Sequence, residues 1–156
     1  YLRVAYDEGQ EFEYVDPNEI VLESAKFLEI QARKKGITIK HDLQKVSEIS
    51  ADKQKLMEAC TNIILNAIEA MDGGNIRLST QEKDDSVIIS IADNGPGIPE
   101  GSLKRIFVPF FTTKKEGTGM GLAITQRVIA DHGGKIDIQS ILGMGTTFFL
   151  SFPKKP

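Results

Sequence analysis

The chain has 156 residues, 40% hydrophobic and 26% charged, with a formal net charge of −3, which suits one domain with a core of its own. That balance offers no basic surface for nucleic acid, and no apolar run approaches the roughly 18 residues that span a bilayer. The one cysteine, Cys60, excludes an internal disulfide and fits a reducing, cytoplasmic setting. The chain opens at Tyr1 with no leader pattern, so it reads as a piece of a larger protein; the piece itself is expected to be a monomer without membrane contact, while its parent could carry a membrane segment or a sensor. Residues 1–10 read as a linker from a missing upstream domain, and residues 1–156 as a single unit.

Glu11 to Val15 alternates as a short first strand. Asp16-Pro17-Asn18-Glu19 starts a helix, with Asp16 as N-cap, proline in the first turn and an acid three residues after the cap. Ile20, Val21, Ala25, Leu28 and Ala32 give its apolar stripe, and Lys34-Lys35-Gly36 ends it. Ile37 to Leu43 alternates with period two and predicts a strand covered on one face. A second helix runs from the cap Asp52 to Met71 and closes at Asp72-Gly73-Gly74. Strands over 75–81 and 87–92 follow, joined by the charged turn Glu82-Lys83-Asp84-Asp85. Residues 93–117 carry prolines, glycines and threonines but no long element, the pattern of a functional lid or of a disordered segment. A third helix spans Gly119 to His132. A hairpin over 135–140 and 146–152 turns through Leu142-Gly143-Met144-Gly145. Strands arriving in hairpins, with helices segregated from them, predict an α+β two-layer sandwich: a mixed sheet of about five strands packed against three helices.

Three stretches carry the chemistry. On the second helix, Glu58, Asn62 and Asn66 share the face opposite the apolar stripe. Asparagine is a poor helix former, so two on one stripe are either a solvated polar face or oxygen ligands for Mg²⁺. Val87 to Ala92 delivers Asp93 to a strand end, followed by Asn94-Gly95-Pro96-Gly97-Ile98. A carboxylate there accepts a hydrogen bond from the exocyclic amine of adenine, and the glycines let backbone approach a flat base. The same residues also describe an ordinary surface turn. Third, Gly117-Thr118-Gly119-Met120-Gly121-Leu122 opens a helix, where free amides and the helix dipole suit phosphate oxygens. It is neither a Walker A loop nor a dinucleotide fingerprint, and by itself it is equally a flexible linker. Between these loops Phe107-Val108-Pro109-Phe110-Phe111 precedes Lys114 and Lys115, an apolar anchor for a lid whose lysines reach polyphosphate or stay in solvent.

In their order these residues resemble the N, G1, F, G2 and G3 boxes of the Bergerat-type ATP-binding fold, and within it the catalytic domain of sensor histidine kinases. The N box is Asn62 to Ala67, G1 is Asp93 to Gly97, the F box is Phe107 to Phe111, G2 is Gly117 to Leu122, and G3 is Gly143 to Thr146. The wording is nearest nitrogen-regulation and sporulation kinases, and the resemblance runs from about residue 10 to 152. It implies that Asn66 binds Mg²⁺ and that Asn62 lies beside the phosphates. Asp93 takes the adenine amine, with Thr146 helping through water, while Gly95, Gly97 and Ile98 line the base. Thr118, Gly119, Gly121 and Leu122 bound the phosphates. Asn62 and Lys114 are the expected catalytic residues, and ATP with Mg²⁺ the expected ligands, ADP being the product.

Two departures from the family stand out. An amide at Asn62 cannot activate water as the glutamate of gyrase-like relatives does, which favours a kinase over an ATPase. Glu69 occupies a place where many histidine kinases carry a phosphate-facing lysine, which shifts that duty to Lys114. Of two histidines, His41 falls in a strand and His132 at a helix end, both read as structural. The phosphoacceptor is therefore expected on an upstream dimerisation domain of the same kinase, with a response regulator engaged indirectly. The alternatives are a nucleotide-gated interaction module, or another Bergerat-fold ATPase or serine kinase.

Overall fold

The computed structural model describes residues 11–109 and 121–156. The first strand, β1 (Glu13–Val15), leads directly into α1 (Pro17–Lys34). Asp16 caps α1 as its sequence promises: the side chain accepts from the Asn18 amide at 2.9 Å, which satisfies one of the helix's free donors. Arg33 and Lys34 occupy the last turn, where cations suit the dipole. Gly36 then takes φ +72 to let the chain leave. The Lys35 ammonium reaches across to the carbonyl of Ile68 at 2.9 Å, tying the end of α1 to the helix that packs on it.

After β2 (Ile37–Leu43) comes a three-residue strand that the sequence pattern does not announce, β3 (Ile49–Ala51). It pairs antiparallel with β1, Glu13 opposite Ala51 and Val15 opposite Ile49. The second helix, α2 (Lys53–Ala70), is capped by Asp52, whose carboxylate accepts from the Lys55 amide. β4 (Gly74–Lys83) and β5 (Ser86–Asp93) form the expected hairpin, each longer than the pattern suggested. Their turn is confined to Asp84 and Asp85, with Asp84 at φ 58, a conformation that aspartate tolerates. A single helical turn, α3 (Glu100–Leu103), lies in the segment expected to lack long elements; α4 (Gly121–Asp131), β6 (Lys135–Ile141) and β7 (Gly145–Pro153) complete the described chain.

The main sheet runs β2-β4-β5-β7-β6. β2 is parallel to β4 and every other neighbouring pair is antiparallel, so the sheet is mixed, as expected. Alternation along the central strands buries Ile76, Leu78, Val87, Ile89, Ile91, Phe148, Leu150 and Phe152 on one face. Against that face the helices bury Ile20, Leu28, Leu56, Ile63, Ile64, Ile68 and Ile129. Each such side chain contributes about 1.5–3 kcal/mol when fully removed from water. The two-layer α+β sandwich is the result. Its helical layer leaves the C-terminal end of α2 beside the end of β5.

Candidate nucleotide-binding site

Asp93 closes β5 directly opposite Thr146 at the start of β7. Its Oδ1 accepts from the Gly95 amide at 2.9 Å, and the Thr146 amide donates to it as well. Burial pushes the carboxyl above the usual aspartate range, and the two amide donors pull the other way without winning. This is the signature of a group kept for its acceptor oxygens at some cost in solvation. Asn94 is exposed, and its Oδ1 accepts from the Asn75 amide at 2.8 Å.

The loop after Asp93 is sewn to the β6–β7 hairpin. The Gly143 amide donates to the Pro96 carbonyl at 2.6 Å, and the Ile98 amide to Ser140 Oγ at 2.7 Å. Gly97, at φ +78, packs so closely that a Cβ would collide with the Ile141 carbonyl. At Gly95 a Cβ would lie 2.8 Å from Met71 Cγ and 3.0 Å from Asp93 Oδ1. Glycine at 95 thus lets the loop lie against both the α2 end and the carboxylate. Gly145, at φ +127, presses against the Asp93 carbonyl in the same way.

Asn62 and Asn66 are both half-buried on α2, one turn and about 6 Å apart along the axis. α2 ends at Met71, against Gly95, so the two amides are steps along a helix that leads to the Asp93 loop. Asn62 Nδ2 donates to Thr125 Oγ1 of α4 at 2.9 Å. Gly121, the first described residue of α4, packs on the same amide: a Cβ there would sit 2.9 Å from Asn62 Nδ2 and 3.1 Å from Oδ1. Asn62 therefore faces α4 rather than open solvent. Leu122 is half-buried and packs on the core, and Thr146 is buried. Lys114, Thr118 and Gly119 lie outside the described residues, as do Phe110, Phe111 and Lys115 of the expected lid.

Met71, which the sequence marks only as the apolar end of the second helix, lies against Gly95, and two residues the sequence pattern does not mark, Thr125 and Ser140, bond to Asn62 and Ile98. The donor set suits Mg²⁺ bound with a nucleotide. Among the described residues no group of three His, Cys, Asp or Glu side chains could hold a metal alone, and Mg²⁺ commonly takes one or two protein oxygens plus waters and phosphates. His41 is exposed on β2. His132 is buried with both ring nitrogens engaged, Nδ1 to the Val128 carbonyl at 2.7 Å and Nε2 accepting from the Asp52 amide at 3.1 Å. Its role is structural.

Residues 51–156 match the family described as histidine kinase-, DNA gyrase B-, and HSP90-like ATPase. Sporulation kinase A of Bacillus subtilis (strain 168) is 41% identical over 145 residues, which cover 92% of this chain and 24% of that protein. The chain thus spans about a quarter of that relative's length. Among solved structures, the catalytic domain of histidine kinase ThkA superposes with a TM-score of 0.84 at 34% identity, covering 93% of this chain and 97% of that one. Full-length ShkA in complex with AMPPNP also gives 0.84, at 30% identity, covering 93% of this chain and 31% of that one. The chain belongs to the histidine kinase-, DNA gyrase B- and HSP90-like ATPase family, and the relatives named above include histidine kinases.

Proposed function

We propose that this domain binds Mg-ATP between Asp93 and the glycine-led start of α4 and presents the γ-phosphate to a histidine on a separate dimerisation domain. The observation that carries the reading is the pairing of two anchored groups. Asp93 is pinned by the Gly95 and Thr146 amides, and Asn62 is held against Gly121 and Thr125. The first offers fixed acceptors for an adenine amine. The second lies beside a helix start suited to phosphate oxygens.

Phosphoryl transfer requires positioning and charge neutralisation more than covalent help from the protein. Bound Mg²⁺ would neutralise phosphate charge, with Asn66 as its protein ligand. Asn62 orients the phosphates, and Lys114 of the lid contacts the γ-phosphate. Asn62 has no basic group with which to activate water, which favours transfer over hydrolysis. The acceptor histidine and the response regulator that takes the phosphoryl group onward belong to partner domains.

The test supplies the purified chain with [γ-³²P]ATP, Mg²⁺ and a separately expressed helical-hairpin domain carrying the acceptor histidine. Acid-labile label on the hairpin, lost with Asp93→Asn, supports a kinase. Nucleotide binding without transfer would instead indicate an interaction module gated by ATP, and steady phosphate release an ATPase.

A further inference from the structure

We propose that Ser140, on the edge strand β6, sets the hydrogen-bond polarity of the adenine end of the pocket and so acts as a specificity-determining positioning residue. The inference rests on the nucleotide reading above and deepens it.

Ser140 Oγ meets three partners. The Ile98 amide donates to it at 2.7 Å. The Gly145 carbonyl lies 3.2 Å away and Thr146 Oγ1 2.8 Å away. A serine hydroxyl has one hydrogen and two lone pairs. The carbonyl can only accept, so it takes the Ser140 hydrogen. The Ile98 amide occupies one lone pair. The second lone pair is then filled by the Thr146 hydroxyl, which donates. This is the one assignment that satisfies all three contacts at once.

Its consequence falls on Thr146. With its hydrogen committed to Ser140, Thr146 Oγ1 turns only lone pairs to any further partner. Thr146 is buried, stands opposite Asp93 in the β5–β7 register and donates its backbone amide to that carboxylate. Among the described residues, the Asp93 carboxylate and the Thr146 hydroxyl therefore both turn acceptors to this end of the pocket. A 6-amino purine brings donors to it, directly or through water. A 6-oxo purine brings another acceptor and leaves buried groups unpaired, the situation in which discrimination is strongest. Remove the Ser140 hydroxyl and Thr146 is free to rotate, donate, and accept a 6-oxo group. Ser140 exerts this choice through Thr146, while its bond to Ile98 holds the Gly95–Gly97 loop over the hairpin.

The experiment is calorimetric titration of the chain with ADP and with inosine diphosphate, which differ in the 6-substituent and the adjoining ring proton. The wild type is compared with Ser140→Thr and Ser140→Val. These two variants share a shape suited to a strand and differ by one hydroxyl, and thermal melts check that both fold. Ser140→Ala supplies a second hydroxyl-free comparison where valine disturbs the strand. Wild type and Ser140→Thr are expected to share one ADP-to-IDP preference. In Ser140→Val or Ser140→Ala it falls about tenfold, chiefly because IDP binds better relative to ADP. An equal ratio in the threonine and hydroxyl-free variants, whether or not both nucleotides weaken in parallel, overturns the inference and leaves the nucleotide site standing. A folded wild type that binds neither nucleotide overturns both.

Discussion

Asn62 Nδ2 donates to Thr125 Oγ1 at 2.9 Å, so an amide in the middle of α2 grips the first turns of α4. The bond ties the helix that carries Asn62 and Asn66, proposed for phosphate and metal, to the helix that follows the 117–122 loop. Gly121 lets the helices approach closely enough for it to form.

Gly121→Ala separates these roles. Alanine in a helix normally gains about 1 kcal/mol over glycine, but here the new methyl would press on the Asn62 amide at 2.9 Å. The expected outcome is a melting temperature within a few degrees of wild type and ADP affinity reduced at least tenfold by calorimetry. Unaltered affinity would detach Asn62 from the phosphate site.

The raised pKa of Asp93 has a sign that can be checked. The native state holds the proton more tightly than the unfolded chain does. Asp93 therefore subtracts stability as pH rises from the ordinary aspartate range through the raised value. At neutral pH the charged carboxylate is a burden on the fold. Asp93→Asn removes it, so the variant should melt at or above the wild-type temperature at pH 7 while losing ADP binding. In the wild type, ADP affinity should weaken as pH falls through that raised value, because a protonated carboxyl no longer offers an acceptor pair. Asp93→Asn binding ADP as the wild type does would remove Asp93 from adenine recognition.

Asn66→Ala tests the metal assignment. The wild type should bind ATP more tightly with Mg²⁺ than with EDTA. The variant should show one weak affinity in both, with its stability lowered by no more than the cost of one half-buried amide, about 1 kcal/mol. A metal dependence that survives the substitution places the Mg²⁺ ligand elsewhere.

Cys60 provides a probe of opening. Burial in the helix layer pushes its thiol up to about 12, so the native chain carries almost no thiolate to react. Labelling by a disulfide reagent at pH 8 should proceed only through opening of α2, and saturating ADP should slow it by stabilising the closed form. Rapid labelling that ignores ADP would show that α2 opens independently of the site.

Much of this architecture is legible in short-range pattern. Asp16-Pro17 and Asp52 announce helix starts because capping is local. The period-two run ending at Leu43 and the apolar run ending at Asp93 announce strands because each turns apolar side chains to the core, Ile37, Ile39 and Leu43 in the first and Val87, Ile89 and Ile91 in the second. The glycines at 95, 97, 121 and 145 advertise close backbone approach, and each has a neighbour within collision range of a Cβ. The strand β3 is silent because its three residues hold no periodicity and become a strand only against β1. Thr125 and Ser140 are silent for a related reason. A lone hydroxyl shows nothing of its role until the fold brings it a partner, Asn62 from 63 positions away or Ile98 from 42.

The most direct test of the central claim is calorimetric titration of the chain with ATP, ADP and GTP, each with and without Mg²⁺. Binding of ATP and ADP but not GTP, with ATP tightened by Mg²⁺, is the predicted result. A folded, cooperatively melting sample that binds none of them, or binds GTP as well as ATP, contradicts it.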